Sequence, residues 1–217
     1  MEKGRTSYQV VKKTASKRTG ILGGSFDPVH LGHIGLAEDA INEADLDNVI
    51  FIPAAHQPFK LDRNVTSGED RLSMLRLAVM GRERLEISEY ELEAEGISYT
   101  YLTMRAMKQL LGSDTKLFFI TGTDSFLKIE QWKNSSELLL NYSFIIGRRP
   151  GYKEEELDEC ISRVRNRYNT EIIQINNTQL DISSTEIRQR LKAGSPAGDL
   201  IPPEVERYIT EHGLYRN

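Results

Sequence analysis

Short apolar runs alternate along the chain with longer stretches in which apolar side chains recur every three or four positions. The short runs predict buried strands at 19–24 (TGILGG), 49–53 (VIFIP), 85–88, 116–121 (KLFFIT), 143–147 and 171–175. The longer stretches predict amphipathic helices. The first covers 31–44, with Ile34, Ala37 and Ile41 on one stripe, and others cover 66–79, 98–111, 132–140 (at least from Ser135) and 154–168. Local signals punctuate them. Thr66-x-x-Glu69 and Ser183-x-x-Glu186 read as capping boxes, the second opening a helix to Leu191 with Gly194 beyond its end. Pro202 suits the first turn of a last helix running to Gly213. Short apolar strands separated by helices predict an α/β fold, an open parallel sheet with helices on both faces. The loop at 54–65 is polar and long for such a fold, which marks it as functional.

Composition narrows the class. With 39% hydrophobic and 28% charged residues in 217, one domain can bury a core, and wholesale disorder is excluded. No apolar run approaches the roughly 20 residues that span a bilayer, so no membrane partner is expected. The single cysteine, Cys160, excludes an internal disulfide framework and a Cys-rich zinc site, and fits a reducing, cytoplasmic setting.

The net charge of −4 is uneven. Residues 1–18 carry Lys3, Arg5, Lys12, Lys13, Lys17 and Arg18 against Glu2 alone, so residues 19–217 are distinctly acidic. An acidic body is a poor binder of nucleic-acid backbone, and no nucleic-acid partner is expected. The leader lacks the apolar stretch of a secretory signal. It reads as a flexible basic extension, 1–18, ahead of a single domain, 19–217, although its acid-poor composition with Ser and Thr also fits an organellar transit peptide.

The densest chemistry lies in Gly23-Gly24-Ser25-Phe26-Asp27-Pro28-Val29-His30-Leu31-Gly32-His33. It follows a predicted strand and enters a helix, the place where open parallel sheets bind ligands. Glycines there let backbone N–H groups approach an anion, and the helix N-terminus adds positive potential. His30 and His33, three apart, can share one side of the first turn. Gly-Gly alone would be a turn. With two imidazoles added, the segment suits a polyphosphate. A zinc site on the two histidines lacks a third ligand. In the second segment, Ile182-Ser183-Ser184-Thr185-Glu186-Ile187-Arg188, a helix N-terminus presents hydroxyls, with Arg188 one turn in. A guanidinium grips phosphate oxygens in pairs, whereas a capped helix with a surface arginine is the plainer alternative.

The two segments together resemble the signatures of the nucleotidyltransferase superfamily with a His-x-Gly-His motif. Ser98-Tyr99-Thr100, Phe118–Asp124, Gln131-Trp132, Gly147-Arg148-Arg149-Pro150-Gly151 and Gly213-Leu214-Tyr215 fall in an order similar to that of bacterial nicotinate-nucleotide adenylyltransferases, over roughly residues 20–215. The resemblance implies a Rossmann-like fold. It also implies ATP and nicotinate mononucleotide as substrates, deamido-NAD and pyrophosphate as products, and Mg²⁺ carried on the ATP phosphates without a dedicated protein cage. It leaves room for a homo-oligomer. By the same resemblance His30, His33 and Arg188 are catalytic, and Gly23, Gly24, Ser25, Phe26, Gly122, Asp124, Ser183 and Ser184 bind ATP. Lys60, Thr100, Trp132 and Arg149 bind the mononucleotide. One departure stands out: the family's loop commonly reads Pro-Pro-His-Lys, and here it is Gln57-Pro58-Phe59-Lys60, with His56 out of register. The lysine matches and the loop histidine does not. Rival readings are an adenylyltransferase with another acceptor, such as nicotinamide mononucleotide or phosphopantetheine, and a non-catalytic nucleotide sensor.

Overall fold

The computed structural model describes residues 17–55, 65–94, 97–148, 151–176 and 182–216. Six strands form one all-parallel sheet: β1 (Arg18–Gly24), β2 (Asn48–Pro53), β3 (Leu85–Ile87), β4 (Lys116–Gly122), β5 (Ser143–Gly147) and β6 (Ile172–Ile175). Their spatial order is β3-β2-β1-β4-β5-β6. The chain builds outward from β1 to β3, then crosses back to place β4 against the other side of β1. The crevice between β1 and β4 is therefore the switch point where such sheets bind ligands.

Nine helices alternate with the strands among the described residues: α1 (Leu31–Glu43), α2 (Gly68–Val79), α3 (Tyr90–Glu93), α4 (Thr100–Leu111), α5 (Thr123–Phe126), α6 (Ser135–Asn141), α7 (Glu154–Tyr168), α8 (Ser184–Lys192) and α9 (Pro203–Glu211). Side chains alternate across a strand, so every strand but the edge strand β3 feeds two cores. Leu22, Phe51, Phe118, Ile120 and Ile145 join α1, α2, α8 and α9 on one face. Ile21, Ile52, Phe119, Phe144 and Ile146 join α4, α6 and α7 on the other. Burial on both faces is why the strands read as unbroken apolar runs.

Several boundaries depart from expectation. Helix α2 is capped by Ser67, whose Oγ accepts from the Asp70 N–H at 3.0 Å, so Thr66-x-x-Glu69 is not its capping box. Ser67 offers the same pattern one residue on. Helix α4 starts at Thr100, not at residue 98, because the Ser98 hydroxyl accepts from the Ala55 N–H at 3.2 Å instead. The helix expected at least from Ser135 does begin there. The short α3, α5 and a 3-10 turn at Ile129–Gln131 are unforeseen, since three or four residues cannot display a helical period. Strand β1 opens at Arg18, which is thus part of the sheet.

Candidate active site

A cleft of about 880 Å³ opens along the carboxyl ends of β1, β4 and β5, lined by Gly23, Gly24, Gly122 and Gly147. Three helix starts reach it. Gly32 and His33 of α1, Thr100 and Thr103 of α4, and Ser184 and Thr185 of α8 are all in its wall. Each start presents N–H groups without partners inside its own helix, so the three together favour an anion.

The first motif is held tightly. His30 is the N-cap of α1, and its ring stacks on that of His33 with centroids 3.6 Å apart. The His30 N–H donates to His33 Nδ1 at 3.3 Å. A neutral His33 accepting at Nδ1 carries its proton on Nε2, a donor. Gly32 between them lets the His30 ring lie close, because a Cβ there would stand 3.1 Å from His30 Nδ1 and the ring would have to give by a few tenths of an ångström. Phe26 is buried at positive φ and packs edge-on against His33.

The second motif docks onto the first. Ser183 caps α8 by accepting from the Glu186 N–H at 3.1 Å, as expected for one arm of the box. Glu186 itself turns to Arg190 at 2.8 Å. The Ser184 hydroxyl donates to the Pro28 carbonyl at 3.0 Å, and Arg188 Nη1 donates to the Asp27 carbonyl at 2.6 Å. Two segments some 150 residues apart in sequence thus form one wall, with Arg188 still partly exposed to the cleft.

The opposite wall is aromatic and hydroxylic. Trp132 packs edge-on against Phe119, 5.8 Å between centroids, and Thr100 sits at the first turn of α4. Asp124 lies on α5, and its Oδ1 packs close over Gly122, 2.9 Å from where a Cβ would stand.

The cytidylyltransferase-like family pattern matches residues 21–190. The chain is 41% identical over 199 residues to a protein of Thermoanaerobacter sp. (strain X514) named probable nicotinate-nucleotide adenylyltransferase, covering 92% of this chain and 94% of the relative. A relative of the same name from Halalkalibacterium halodurans is 41% identical over 201 residues, 92% of each chain. The chain belongs to the nicotinate-nucleotide adenylyltransferase family. Its fold matches that of Plasmodium falciparum nicotinic acid mononucleotide adenylyltransferase complexed with NaAD, at a TM-score of 0.74 and 23% identity over 92% of this chain and 97% of that one.

For this family member, the cleft brings together His30, His33, Arg188, Gly23, Gly24, Ser25, Phe26, Gly122, Asp124, Ser183, Ser184, Thr100 and Trp132. Lys60 and Arg149 lie outside the described residues, as does Phe59. Sequence reasoning gave no role to Lys128, Lys133 or Arg148, three cations that line the cleft, Arg148 with a bond to Glu154 at 3.0 Å. It also missed Arg71, buried beneath the first motif, whose Nη1 donates to the Ser25 carbonyl at 2.8 Å and Nε to Thr66 O at 3.0 Å. Burial lowers the Arg71 pKa, and the Asp27 charge opposes that. A signal existed: Arg71 shares the stripe of Met74, Leu75 and Ala78, and a charge on an apolar stripe asks for a buried partner.

Among the described residues no three His, Cys, Asp or Glu side chains gather as a metal cage. One cleft carboxylate such as Asp124 with substrate phosphates is the donor set that Mg²⁺ accepts.

Proposed function

We propose that this chain transfers the adenylyl group of ATP to nicotinate mononucleotide, giving deamido-NAD and pyrophosphate. The observation that carries the reading is the union of the two motifs at the β1/β4 crevice, with three helix N-termini meeting in one cleft. The phosphate oxygen of the mononucleotide attacks the α-phosphorus of ATP in line. The bond from that phosphorus to the bridging oxygen breaks, and pyrophosphate leaves. The nucleophile is already an anion, so no strong base is needed, and the work is positioning and charge stabilisation.

In this reading the backbone of Gly23, Gly24, Ser25 and Phe26 cradles ATP, and His30 and His33 neutralise charge growing around the α-phosphate. Ser183, Ser184 and Arg188 hold the departing β- and γ-phosphates. Gly122 gives the ribose room and Asp124 accepts from its hydroxyl. Trp132 stacks on the pyridine ring, Thr100 reads its carboxylate at the α4 N-terminus, and Lys60 and Arg149 serve the mononucleotide. Mg²⁺ would neutralise charge on the phosphates, and carrying its waters is the alternative role for Asp124. The single cysteine, buried and reduced, supports a cytoplasmic setting. Among the described residues no helix is long and apolar enough to cross a membrane.

The test is pyrophosphate release with a panel of acceptors at saturating Mg-ATP. Nicotinate mononucleotide should exceed nicotinamide mononucleotide in kcat/KM by on the order of 10²–10⁴. The amide turns NH₂ donors toward helix donors, and each unpaired buried polar group costs about 1–3 kcal/mol. Equal values overturn the pocket reading. Release with phosphopantetheine, or none with any acceptor, overturns the reaction.

A further inference from the structure

The carboxyl-terminal segment ends beneath the phosphate loop. After α9 the chain turns through Gly213, and Tyr215 takes a left-handed backbone conformation, φ +62°, uncommon for an aromatic residue. That turn brings the Tyr215 hydroxyl 2.6 Å from Oδ1 of Asp27, to which it donates across 188 residues of sequence. Asp27 is buried, in the heart of the first motif. Its other carboxylate oxygen lies 3.9 Å from Arg188 Nη1, which already donates to the Asp27 carbonyl. Arg71 stands behind the same loop on the Ser25 carbonyl. Asp27 therefore sits among one hydroxyl and two guanidiniums.

We infer that Tyr215 is a positioning residue for ATP, acting through Asp27 on Arg188. The inference rests on the reading that Arg188 grips the triphosphate. Arg188 has five N–H donors in a rigid fork. Nη1 is spent on the Asp27 carbonyl and Nη2 reaches Thr185 Oγ1 at 3.2 Å, an arrangement that fixes the plane of the fork. Among the described residues, the Asp27 carboxylate is the anion within 4 Å that could take over the remaining donors, in competition with phosphate. The Tyr215 hydroxyl occupies one of its oxygens and holds it where Arg188 is 3.9 Å away rather than fully paired. The hydroxyl stays a donor at any working pH, because burial first, and then the Asp27 charge, push its pKa far up. Removing it lets Asp27 turn onto Arg188, and the guanidinium meets phosphate already neutralised.

The experiment titrates Mg-ATP and nicotinate mononucleotide separately into the full chain by calorimetry, with thermal melts on every variant. Tyr215→Phe should weaken Mg-ATP binding about 3- to 10-fold, the net worth of one hydrogen bond, and leave mononucleotide binding unchanged. Leu214→Ala removes neighbouring packing but keeps the hydroxyl, and should lower Tm without selective loss of ATP affinity. In an Arg188→Gln background (or Arg188→Lys should the first not fold) Tyr215→Phe should add nothing further. Wild-type ATP affinity in folded Tyr215→Phe, equal losses for both substrates, or a full additional loss in the Arg188 background would each overturn the relay. Arg188→Gln binding ATP as tightly as the wild type would instead remove the phosphate role of Arg188 itself, a separate result that takes the relay with it.

Discussion

The two ends of the sheet carry similar polar chemistry and use it differently. At the amino ends of the strands, Thr19 donates to Asn48 at 2.8 Å, and Asn48 to Glu86 at 2.6 Å. Lys116 pairs with Glu171, which also accepts from Ser143 at 2.8 Å. Arg18 reaches the carbonyls of Ala44 and Asp45 at 2.9 and 3.0 Å, with its guanidinium 4.5 Å over the Phe118 ring. There the chain supplies its own partners. At the carboxyl ends, the strands stop at glycines and helices begin, so donors and cations face an open cleft. Lys128, Lys133, Arg148 and Arg188 line it against Asp27, Glu91 and Asp124, and two of these carboxylates are taken up by Tyr215 and Thr103. A charge is available for chemistry where the fold leaves its field to a ligand, and it serves stability where the fold closes around it. Substitutions at the cleft should therefore change turnover with little change in stability, and those at the other end the reverse.

The sharpest break would come at His33. His33→Ala should cut kcat by roughly 10²–10³-fold, the scale of one lost contact of about 2.7–4 kcal/mol to developing charge. Its effect on Tm should be small, since His33 is only half-buried and its bond to the His30 N–H, at 3.3 Å, is long. Steady-state kinetics with a thermal melt decide it. Near wild-type kcat in the folded variant would remove His33 from the chemistry. Trp132 probes the aromatic wall of the same cleft. Trp132→Ala should raise KM for nicotinate mononucleotide about tenfold and leave ATP affinity alone, as befits a stacking contact. A rise in KM for ATP instead would place the adenine, not the pyridine ring, on that face.

How much of this was legible differs along the same lines. His30, Gly32, His33 and the run from Ser183 to Arg188 are local patterns, readable because one helix start needs all its parts within a few residues. The central strands were legible for a related reason, since burial on both faces leaves apolar runs such as the LFFIT of β4. Arg71 and Tyr215 were not, because their roles arise only when α2 and the chain end meet the loop at Ser25 and Asp27. Tyr215 figured in the sequence only as part of a Gly-Leu-Tyr resemblance, with no partner to give it meaning. Ser98 misled for a similar reason: the helix was expected from residue 98, but the Ser98 hydroxyl accepts from the Ala55 N–H and α4 opens at Thr100.

The other end of the sheet should respond in stability. Arg18→Ala removes two hydrogen bonds to carbonyls and a contact with the Phe118 ring, worth about 1–2 kcal/mol together. For a domain of this size that is a fall of roughly 2–8 °C in Tm. The kcat/KM for both substrates should stay within about twofold, because nothing at Arg18 lines the cleft. A selective loss of turnover at unchanged Tm would mean that the amino end of the sheet communicates with the site.

The smallest effect belongs to Glu171, and it separates the two ends by pH. Burial would raise the pKa of this carboxylate, but hydrogen bonds from Lys116 and Ser143 and the charges of Lys116 and Arg18 outweigh it and lower the value below its ordinary 4.5. A carboxylate whose folded pKa is depressed adds stability that is fully present above the unfolded value. That stability is lost as the pH falls through the folded one. The wild type should therefore be slightly more stable than Glu171→Gln at pH 7, and the gap should close as the pH drops below about 4. Both side chains of the Lys116–Glu171 pair are more than one-third exposed, so solvent screening holds the gap to a few tenths of a kcal/mol, smaller still in high salt. Urea melts at pH 7 and pH 3.5, with and without added salt, measure it. A gap that widens toward acid would mean that Glu171 is stabilised in its protonated form, and that the amino end is less well closed around its charges than its hydrogen bonds indicate.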